Sequence, residues 1–374
     1  MHRIFHSIGH VVWMTCNLLA VVLLLTADLA MIVPPTKLHF LALMALGFEL
    51  FAITNLIFAV SWLFSSRKSW SVISVLALLI SITPLKATFS TSLNKSSLQS
   101  HSSEFNEEKP LNSLRILTYN THLLQNNTPI EHNDLLRYVR NSGADIVCMQ
   151  EYAVYKDKRY PTFQAVKNAL TDLFPYTYFD FSIHNQRLQY GLAVYSKFPL
   201  IHKTTIPIHA EGNGANYCDV LVPAGNRTDT FRLFNNHLQS NSLLPAEIDS
   251  LLSKNAGHYT LHSPLPTKLA RAYTQRTEQV QTIRQFIDDS PYPVIVCGDF
   301  NDIPVSYTYH QLSRNLKDAF LTTSFLRTGH TFVKRGLGIR IDYILHSDLF
   351  NATDCRIDHV NYSDHYPVTT TLVW

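Results

Sequence analysis

The sequence predicts a mixed α/β fold in which two β-sheets pack face to face with helices outside, preceded by an N-terminal helical membrane region. Three observations lead there. Apolar residues crowd into the first ninety positions, while the remainder has the composition of a soluble α/β domain rich in Tyr and Phe. Beyond Leu114, short apolar runs follow one another, each ending in polar residues rather than in a simple turn. Helical patterns fall irregularly between these runs, which a regular βαβ repeat does not produce.

The apolar region comes first in chain order. Val11 to Val33, Leu38 to Phe64 and Ser71 to Phe89 are long apolar stretches, and the first two exceed the roughly 20 residues that a bilayer-spanning helix needs. The third is marginal. Pro34-Pro35 and Ser65-Ser66-Arg67-Lys68 make short, hairpin-like breaks. A cleaved signal peptide is the rival reading of the first stretch, opposed by its length and by the two that follow. Residues 1–89 are therefore expected to be a transmembrane region of about three helices, placing the chain in a lipid bilayer, a plasma or inner membrane. With three spans, Arg3, Arg67 and Lys68 share the cytoplasmic side, and the large domain lies on the extracytoplasmic or periplasmic side with Lys37. Without the third span, the large domain falls on the cytoplasmic side. From Ser90 to Ser113 the chain is Ser-rich and polar, with Glu104, Glu107, Glu108 and Lys109, and cannot bury enough apolar surface to fold. Residues 90–110 read as a linker and 111–374 as a catalytic domain.

Within that domain, strand-like runs are Arg115 to Tyr119, Asp145 to Met149, Leu192 to Tyr195, Phe231 to Phe234, Val294 to Cys297, Ile341 to Leu345 and Val368 to Val373. Helical patterns occupy Pro129 to Arg140, Thr162 to Leu173, Lys268 to Asp288 and Tyr307 to Ala319. Gly212 to Gly225 and Ser240 to Pro266 read as surface loops, the usual seat of substrate choice. No internal repeat or phosphate-cradling glycine loop occurs; Gly329, Gly336 and Gly338 have the wrong spacing and no helix follows.

Charge and cysteine usage by themselves name no substrate. A net charge of +3 and pI near 8.5 are too mild to mark a nucleic-acid protein. Five Cys without CxxC or Cys/His spacing suggest neither a zinc site nor a dense disulfide framework. Cys16, Cys148 and Cys297 read as buried thiols, and a Cys218–Cys355 pair is left open.

The chemistry sits at the strand ends. Asn120 closes one run, Gln150-Glu151 the next and Asn235-Asn236-His237 a third; Gly298-Asp299-Phe300-Asn301, Arg340-Ile341-Asp342 and Ser363-Asp364-His365 follow. Brought to one edge, they would line a pocket with carboxylates, amides and imidazoles, a set suited to cleaving a phosphate ester. A hard cation such as Mg²⁺ needs only one or two carboxylates, here Glu151 with Asp364. Asn120 and Asn301 can contact metal-bound water or phosphoryl oxygen without adding negative charge. Asp342 can fix the tautomer of His365, and His237 offers a second proton donor. Singly, each has an ordinary reading: Asp299 as a turn or cap, Glu151 as a solvated strand end, His237 as a satisfied buried imidazole. The ordered set overturns these.

The motifs TYN, QEY, NNHLQS, GDFND, RIDYI and SDHYPV, in this order over about 260 residues, resemble the deoxyribonuclease-I-like endonuclease/exonuclease/phosphatase superfamily. The resemblance implies a four-layer αββα sandwich and metal-assisted water attack without a covalent intermediate. It implies that Glu151 binds Mg²⁺, with Mn²⁺ a substitute, and that Asn120 and Asp364 support it. Asp299 would orient or deprotonate water, Asn301 hold the phosphate, and Asp342 and His365 form an acid–histidine pair; whether His365 or Asp299 activates water is left open. His122 stands where several relatives have a carboxylate, which leaves metal number open. Arg276 and Gln279 resemble a recurrent pair before GDFN, with a solvated helix face as the ordinary alternative. Lys334, Arg335 and Arg340 are a candidate basic wall, better than Lys156, Lys158 and Arg159. The leading expectation is a phosphodiesterase, a nuclease or lipid phosphodiesterase acting on nucleic acid or phospholipid. Alternatives are a phosphomonoesterase acting on inositol or sugar phosphates, and a non-catalytic membrane-tethered binding protein of the same fold. No protein partner is inferred.

Overall fold

The computed structural model describes residues 2–90, 112–124, 128–157, 160–208, 212–241, 265–325, 327–334 and 336–374. The N-terminal part is helical: α1 (His2–Asp28), α2 (Pro35–Leu38), α3 (Phe40–Ala45), α4 (Phe48–Leu63), α5 (Ser71–Ile80) and α6 (Ile82–Thr88). One helix here, Gly9–Met31, is long and apolar enough to cross a membrane, two if the bent pair α5 and α6 counts as one, against three spans expected from the sequence. The second stretch does not form one helix because residues 34–47 fold back and pack Ala42 and Leu43 against Leu269 and Tyr273. The third bends by 63°. Pro84 lacks an N–H and its ring crowds the carbonyl four residues earlier, at Ile80, while Ser81 donates to Asp28 Oδ2 at 2.6 Å. Of the 28 exposed large apolar side chains among the described residues, 24 lie between Val11 and Ile82, so this bundle is apolar on its outside as well as inside.

The rest alternates strands and helices: β1 (Ser113–Asn120), α7 (Asp134–Asn141), β2 (Ile146–Tyr155), α8 (Phe163–Leu170), β3 (Tyr176–His184), β4 (Leu188–Ser196), β5 (Leu200–Thr205), β6 (Gly214–Ala224), β7 (Arg227–His237), α9 (Leu265–Asp288), β8 (Val294–Asp299), α10 (Tyr307–Ser313), β9 (Lys317–Asp318), α11 (Ala319–Thr323), β10 (Phe332–Lys334), β11 (Leu337–Ile339), β12 (Asp342–His346), β13 (Asn351–Ile357) and β14 (Val368–Val373). Two six-stranded sheets form, in the orders β13-β14-β1-β2-β4-β3 and β5-β6-β7-β8-β12-β9, with β10-β11 a separate hairpin. Both are mixed: β1 with β2, and β7 with β8, are parallel, and the remaining neighbours antiparallel.

Side-chain alternation along the strands builds four layers. Leu114, Ile116 and Cys148 of the first sheet meet Leu233, Ile295, Cys297 and Ile344 of the second in the inner core. Their neighbours Leu117, Val147 and Met149 face outward onto Leu135, Val139, Val166 and Leu170 of α7 and α8. On the opposite side, Val294, Val296 and Leu345 face Val280, Ile283 and Ile287 of α9, and this outer core continues into Leu24 and Ala27 of α1 and Met31 just after it. The αββα sandwich is therefore joined to the N-terminal helices by shared packing.

Polar contacts add to that joint. Arg340, fully enclosed, donates from Nη1 to Asp318 Oδ2 at 2.6 Å and from Nη2 to the Ala87 carbonyl at 2.7 Å. It is not part of a basic wall, because the helices above it enclose it; Arg335 lies outside the described residues. Ser90 exchanges hydrogen bonds with Arg327, and Ser113 already begins β1, so the tether is shorter than its composition suggests. Residues 91–111 lie outside the described residues.

Other expectations change too. Gly212 to Gly225 is mostly not a loop: Gly214–Ala224 is strand β6, paired with β5 and β7. Most of the expected loop Ser240 to Pro266 lies outside the described residues, as do Lys158 and Arg159. The helix expected over Tyr307 to Ala319 ends at Ser313 and gives way to β9. All five cysteines are free, Cys218 and Cys355 included, and Cys16 is exposed rather than buried.

Candidate active site

Alternation also decides which polar groups meet. Asn120, Asp299, Asp342 and His237 share the inward phase of their strands with Ile116, Cys297, Ile344 and Leu233, so at the strand ends they project into the gap between the sheets. Register then aligns them: His237 pairs with Asp299 across β7 and β8, and Asp299 with Asp342 across β8 and β12. Glu151 follows Gln150, on the wrong phase for this face. The pairing of β2 with β4 shifts between Met149 and Tyr152, and Glu151 takes a left-handed φ of 50°. This bulge turns its carboxylate into the gap. Below the site, Gln150 donates to Asn235 Oδ1 at 2.7 Å, a buried bond that locks one sheet to the other.

Gly298 gives the backbone its path. Its φ is 130°, and a Cβ there would lie 2.0 Å from the Asn236 carbonyl oxygen. We expect Gly298→Ala to lower stability by about 3 kcal/mol, from overpacking and an unfavourable φ; thermal unfolding checks this, and an unchanged Tm contradicts it.

Asp299 is the hub. Its Oδ2 accepts from Asn120 Nδ2 at 3.0 Å and from Asn301 Nδ2 at 3.2 Å, and lies 3.8 Å from Nε2 of both His237 and His365. Its Oδ1 accepts from the Asn301 amide, whose φ of 51° suits Asn better than most residues. Burial, reinforced by Asp342 and opposed by His365 and Asn120, pushes the Asp299 carboxyl up to about 7. His365 Nδ1 lies 2.9 Å from Asp342 Oδ2. Burial alone would strip the His365 proton, but the Asp342, Asp299 and Asp364 carboxylates hold it, raising the imidazole to about 10. Burial keeps His237 below its ordinary value, hence neutral.

A second cluster lies beside the hub. Asn120 Nδ2 also donates to Glu151 Oε1 at 3.2 Å, and His237 Nε2 lies 3.8 Å from that oxygen. Glu151 Oε2 and Asp364 Oδ1 both reach His122 Nδ1, at 3.6 and 3.5 Å. Burial works against ionising Glu151, yet His122, His237 and Asn120 outweigh it and pull the carboxyl down to about 2. The Glu151 carboxylate in turn raises His122. Two carboxylates and an amide, from the β2 bulge, the segment before β14 and the end of β1, with 23% and 38% of the Glu151 and Asp364 side chains exposed, fit a hard divalent cation that keeps part of its water. Asp299, Asp342 and His365 also bring ligand atoms within 4.8 Å of one another. There, however, His365 has a carboxylate at each ring nitrogen and all three are buried, an arrangement suited to holding a proton.

All eight site residues expected from the sequence thus lie in one neighbourhood, with Asp364 linked to Glu151 through His122 rather than directly. Several supports escaped the sequence. Asn213 Nδ2 lies 3.3 Å from His237 Nε2, Thr331 Oγ1 accepts from the Asp342 amide at 3.1 Å, and Ser363 donates to the Asn120 carbonyl at 2.8 Å. Their partners are distant in the chain, so no local signal marks them. Arg276 is neither a phosphate contact nor a solvated residue: it is fully buried, donating to Asp302 Oδ2 at 3.2 Å and to the Gln239 carbonyl at 2.6 Å.

Comparison with known proteins finds that the profile described as "Endonuclease/Exonuclease/phosphatase family" matches residues 117–365, and one described as a domain of unknown function matches residues 9–88. Similar solved structures include an endonuclease/exonuclease/phosphatase from Beutenbergia cavernae DSM 12333, at 17% identity and TM-score 0.49, covering 70% of this chain and 72% of that one. A humanized D. rerio TDP2 carrying 14 mutations has 17% identity and TM-score 0.49, covering 70% and 99%. The human Nocturnin catalytic domain with bound sulfate anion has 17% identity and TM-score 0.48, covering 71% and 96%. No curated protein matches the chain.

Proposed function

Because the chain belongs to the endonuclease/exonuclease/phosphatase family, whose members hydrolyse phosphate esters, we propose that it is a membrane-anchored phosphodiesterase using Mg²⁺ or Mn²⁺. One observation carries the reading: Asp299 Oδ2 lies within 4 Å of Asn120, Asn301, His237 and His365, drawn from strand ends and loops of both sheets. Residues 111–374 form the catalytic unit and residues 1–89 the membrane unit.

Asp299, ionised, takes the proton of the water that attacks phosphorus, while Asn120 and Asn301 fix the accepting oxygen. His365, protonated and oriented by Asp342, donates to the developing charge on the phosphoryl or leaving oxygen. Neutral His237 adds a hydrogen bond to the pentacoordinate species. Asn301 positions the phosphoryl group. Glu151, Asn120 and Asp364 would hold the cation, which would polarise the phosphoryl group and neutralise its charge.

Diesters are favoured over monoesters because, among the described residues, no Lys or Arg forms an ion pair with Glu151, Asp299 or Asp342; a dianionic monoester calls for more cationic partners. Nucleic acid and phospholipid are the candidate diesters; inositol and sugar phosphates are the monoester alternatives. The test compares an aryl phosphodiester with the matching monoester at saturating Mn²⁺. The expected kcat/KM ratio is at least about tenfold in favour of the diester; a reversed ratio moves the assignment to a phosphomonoesterase.

The apolar exterior between Val11 and Ile82 supports residence in a bilayer, since an aqueous surface of that kind would aggregate. Arg67 and Lys68 adjoin Trp70, which packs with Trp62 and Met14 away from the α1 residues that touch the sandwich. Positive-inside counting then puts the sandwich outside the cytoplasm.

A further inference from the structure

His122 has no role in the mechanism above, yet it stands between two groups assigned to the cation. It opens a turn in which His122, Leu123 and Leu124 all have left-handed backbones, with φ of 40°, 66° and 56°. Three such residues in succession, none of them glycine, are costly for the backbone. The turn is pinned at its start, where the His122 amide donates to Asn120 Oδ1 at 3.1 Å, and at its end, where Leu124 is fully buried.

The result is a defined ring position. Although 57% of the His122 side chain is exposed, Nδ1 lies 3.6 Å from Glu151 Oε2 and 3.5 Å from Asp364 Oδ1. Both distances are long for hydrogen bonds. They are close to the spacing of adjacent ligands around one cation: donors about 2.1 Å from a metal sit about 3.0 to 3.4 Å apart in octahedral or tetrahedral geometry. Nδ1, on the turn after β1, thus has a carboxylate oxygen of the β2 bulge and one of the segment before β14 beside it.

We propose that His122 Nδ1 is a direct ligand of the divalent cation held by Glu151 and Asp364, and that this nitrogen biases the site toward Mn²⁺ over Mg²⁺. The inference rests on the metal-dependent reading of the site. Its physical reason is ligand softness: imidazole suits transition metals, whereas Mg²⁺ selects oxygen.

The test uses the full chain in detergent micelles and Mn²⁺ as probe. Binding is followed by loss of the free Mn²⁺ electron paramagnetic resonance signal, with Mg²⁺ as competitor. Pulsed measurements read ¹⁴N coupling to the bound ion. The variants are His122→Asp and His122→Asn, both tolerant of left-handed backbone. In the unaltered chain, bound Mn²⁺ should carry ¹⁴N coupling that both variants lose. Preference for Mn²⁺ over Mg²⁺ should fall by about tenfold or more in His122→Asp. Mn²⁺ bound without ¹⁴N coupling, or coupling and preference unchanged in both variants, overturns the proposal while leaving the metal-dependent reading intact. Failure of the unaltered chain to bind Mn²⁺ overturns both.

Discussion

Asp299→Asn is expected to lower kcat by about 10³-fold while leaving the fold intact, the scale of removing a positioned general base. The substitution keeps the volume of a fully buried side chain but replaces the oxygen facing both histidines. With the amide oxygen kept at the Oδ1 position to accept from the Asn301 backbone, the new NH₂ points at the Asn120 and Asn301 side-chain donors, so these must turn away. The loss therefore combines a missing proton acceptor with misplacement of Asn120, which also contacts Glu151. Steady-state kinetics beside far-ultraviolet circular dichroism checks it. A variant that keeps a tenth of the parent rate would show that Asp299 does not accept the proton.

His365→Ala is expected to cost about 10² to 10⁴ in kcat, because it removes the proton donor and leaves Asp342 buried without its imidazole. The pH profile separates the pair more finely. Asp299, raised to about 7, must lose its proton, and His365, raised to about 10, must keep one. So kcat/KM should climb as pH rises toward about 7, earlier if the bound cation assists ionisation, and decline above about 10. In Asp342→Asn the carboxylate that does most to hold the His365 proton is gone, so the alkaline decline should begin at lower pH. An unmoved alkaline limb in that variant argues that His365 is not the group titrating there.

The residues that belong to strand ends were readable because chemistry and periodicity coincide there. Asp299 closes the apolar run of β8 and Asp342 opens that of β12, and the phase of each run sets the inward face. Glu151 was readable by residue type but not by phase, since a bulge turns it inward. What the sequence hid depends on partners far along the chain. The polar residues of β6 looked like a loop, but Asp219 is buried against Arg232 at 2.7 Å and Asn216 donates to Asp180 at 3.3 Å, so the strand hides its polar groups in tertiary pairs. Arg340 and Arg276 looked available to substrate because burial of an arginine depends on what encloses it. Here Ala87 with Asp318, and Gln239 with Asp302, do so. The stretch after Pro34 was apolar enough for a span, but hydropathy does not register that Ala42 and Leu43 lie on Leu269 and Tyr273.

The same contacts give the N-terminal helices a structural role. Leu24, Ala27 and Met31 share a core with Val280 and Ile283, and Arg340 ties Ala87 to the strand that carries Asp342. The site is thus built on a sandwich that the N-terminal helices complete, and experiments belong on the full chain.

The most direct test measures hydrolysis of bis(4-nitrophenyl) phosphate by the detergent-solubilised full chain, stripped with chelator and then resupplied with Mg²⁺ or Mn²⁺, beside Glu151→Gln. The rate should fall to background on stripping and return by about 10²-fold or more with either ion in the parent, but not in the variant at the same ion concentration. An undiminished rate in the stripped parent, or full recovery in Glu151→Gln, would contradict a cation held at Glu151 as the centre of this site.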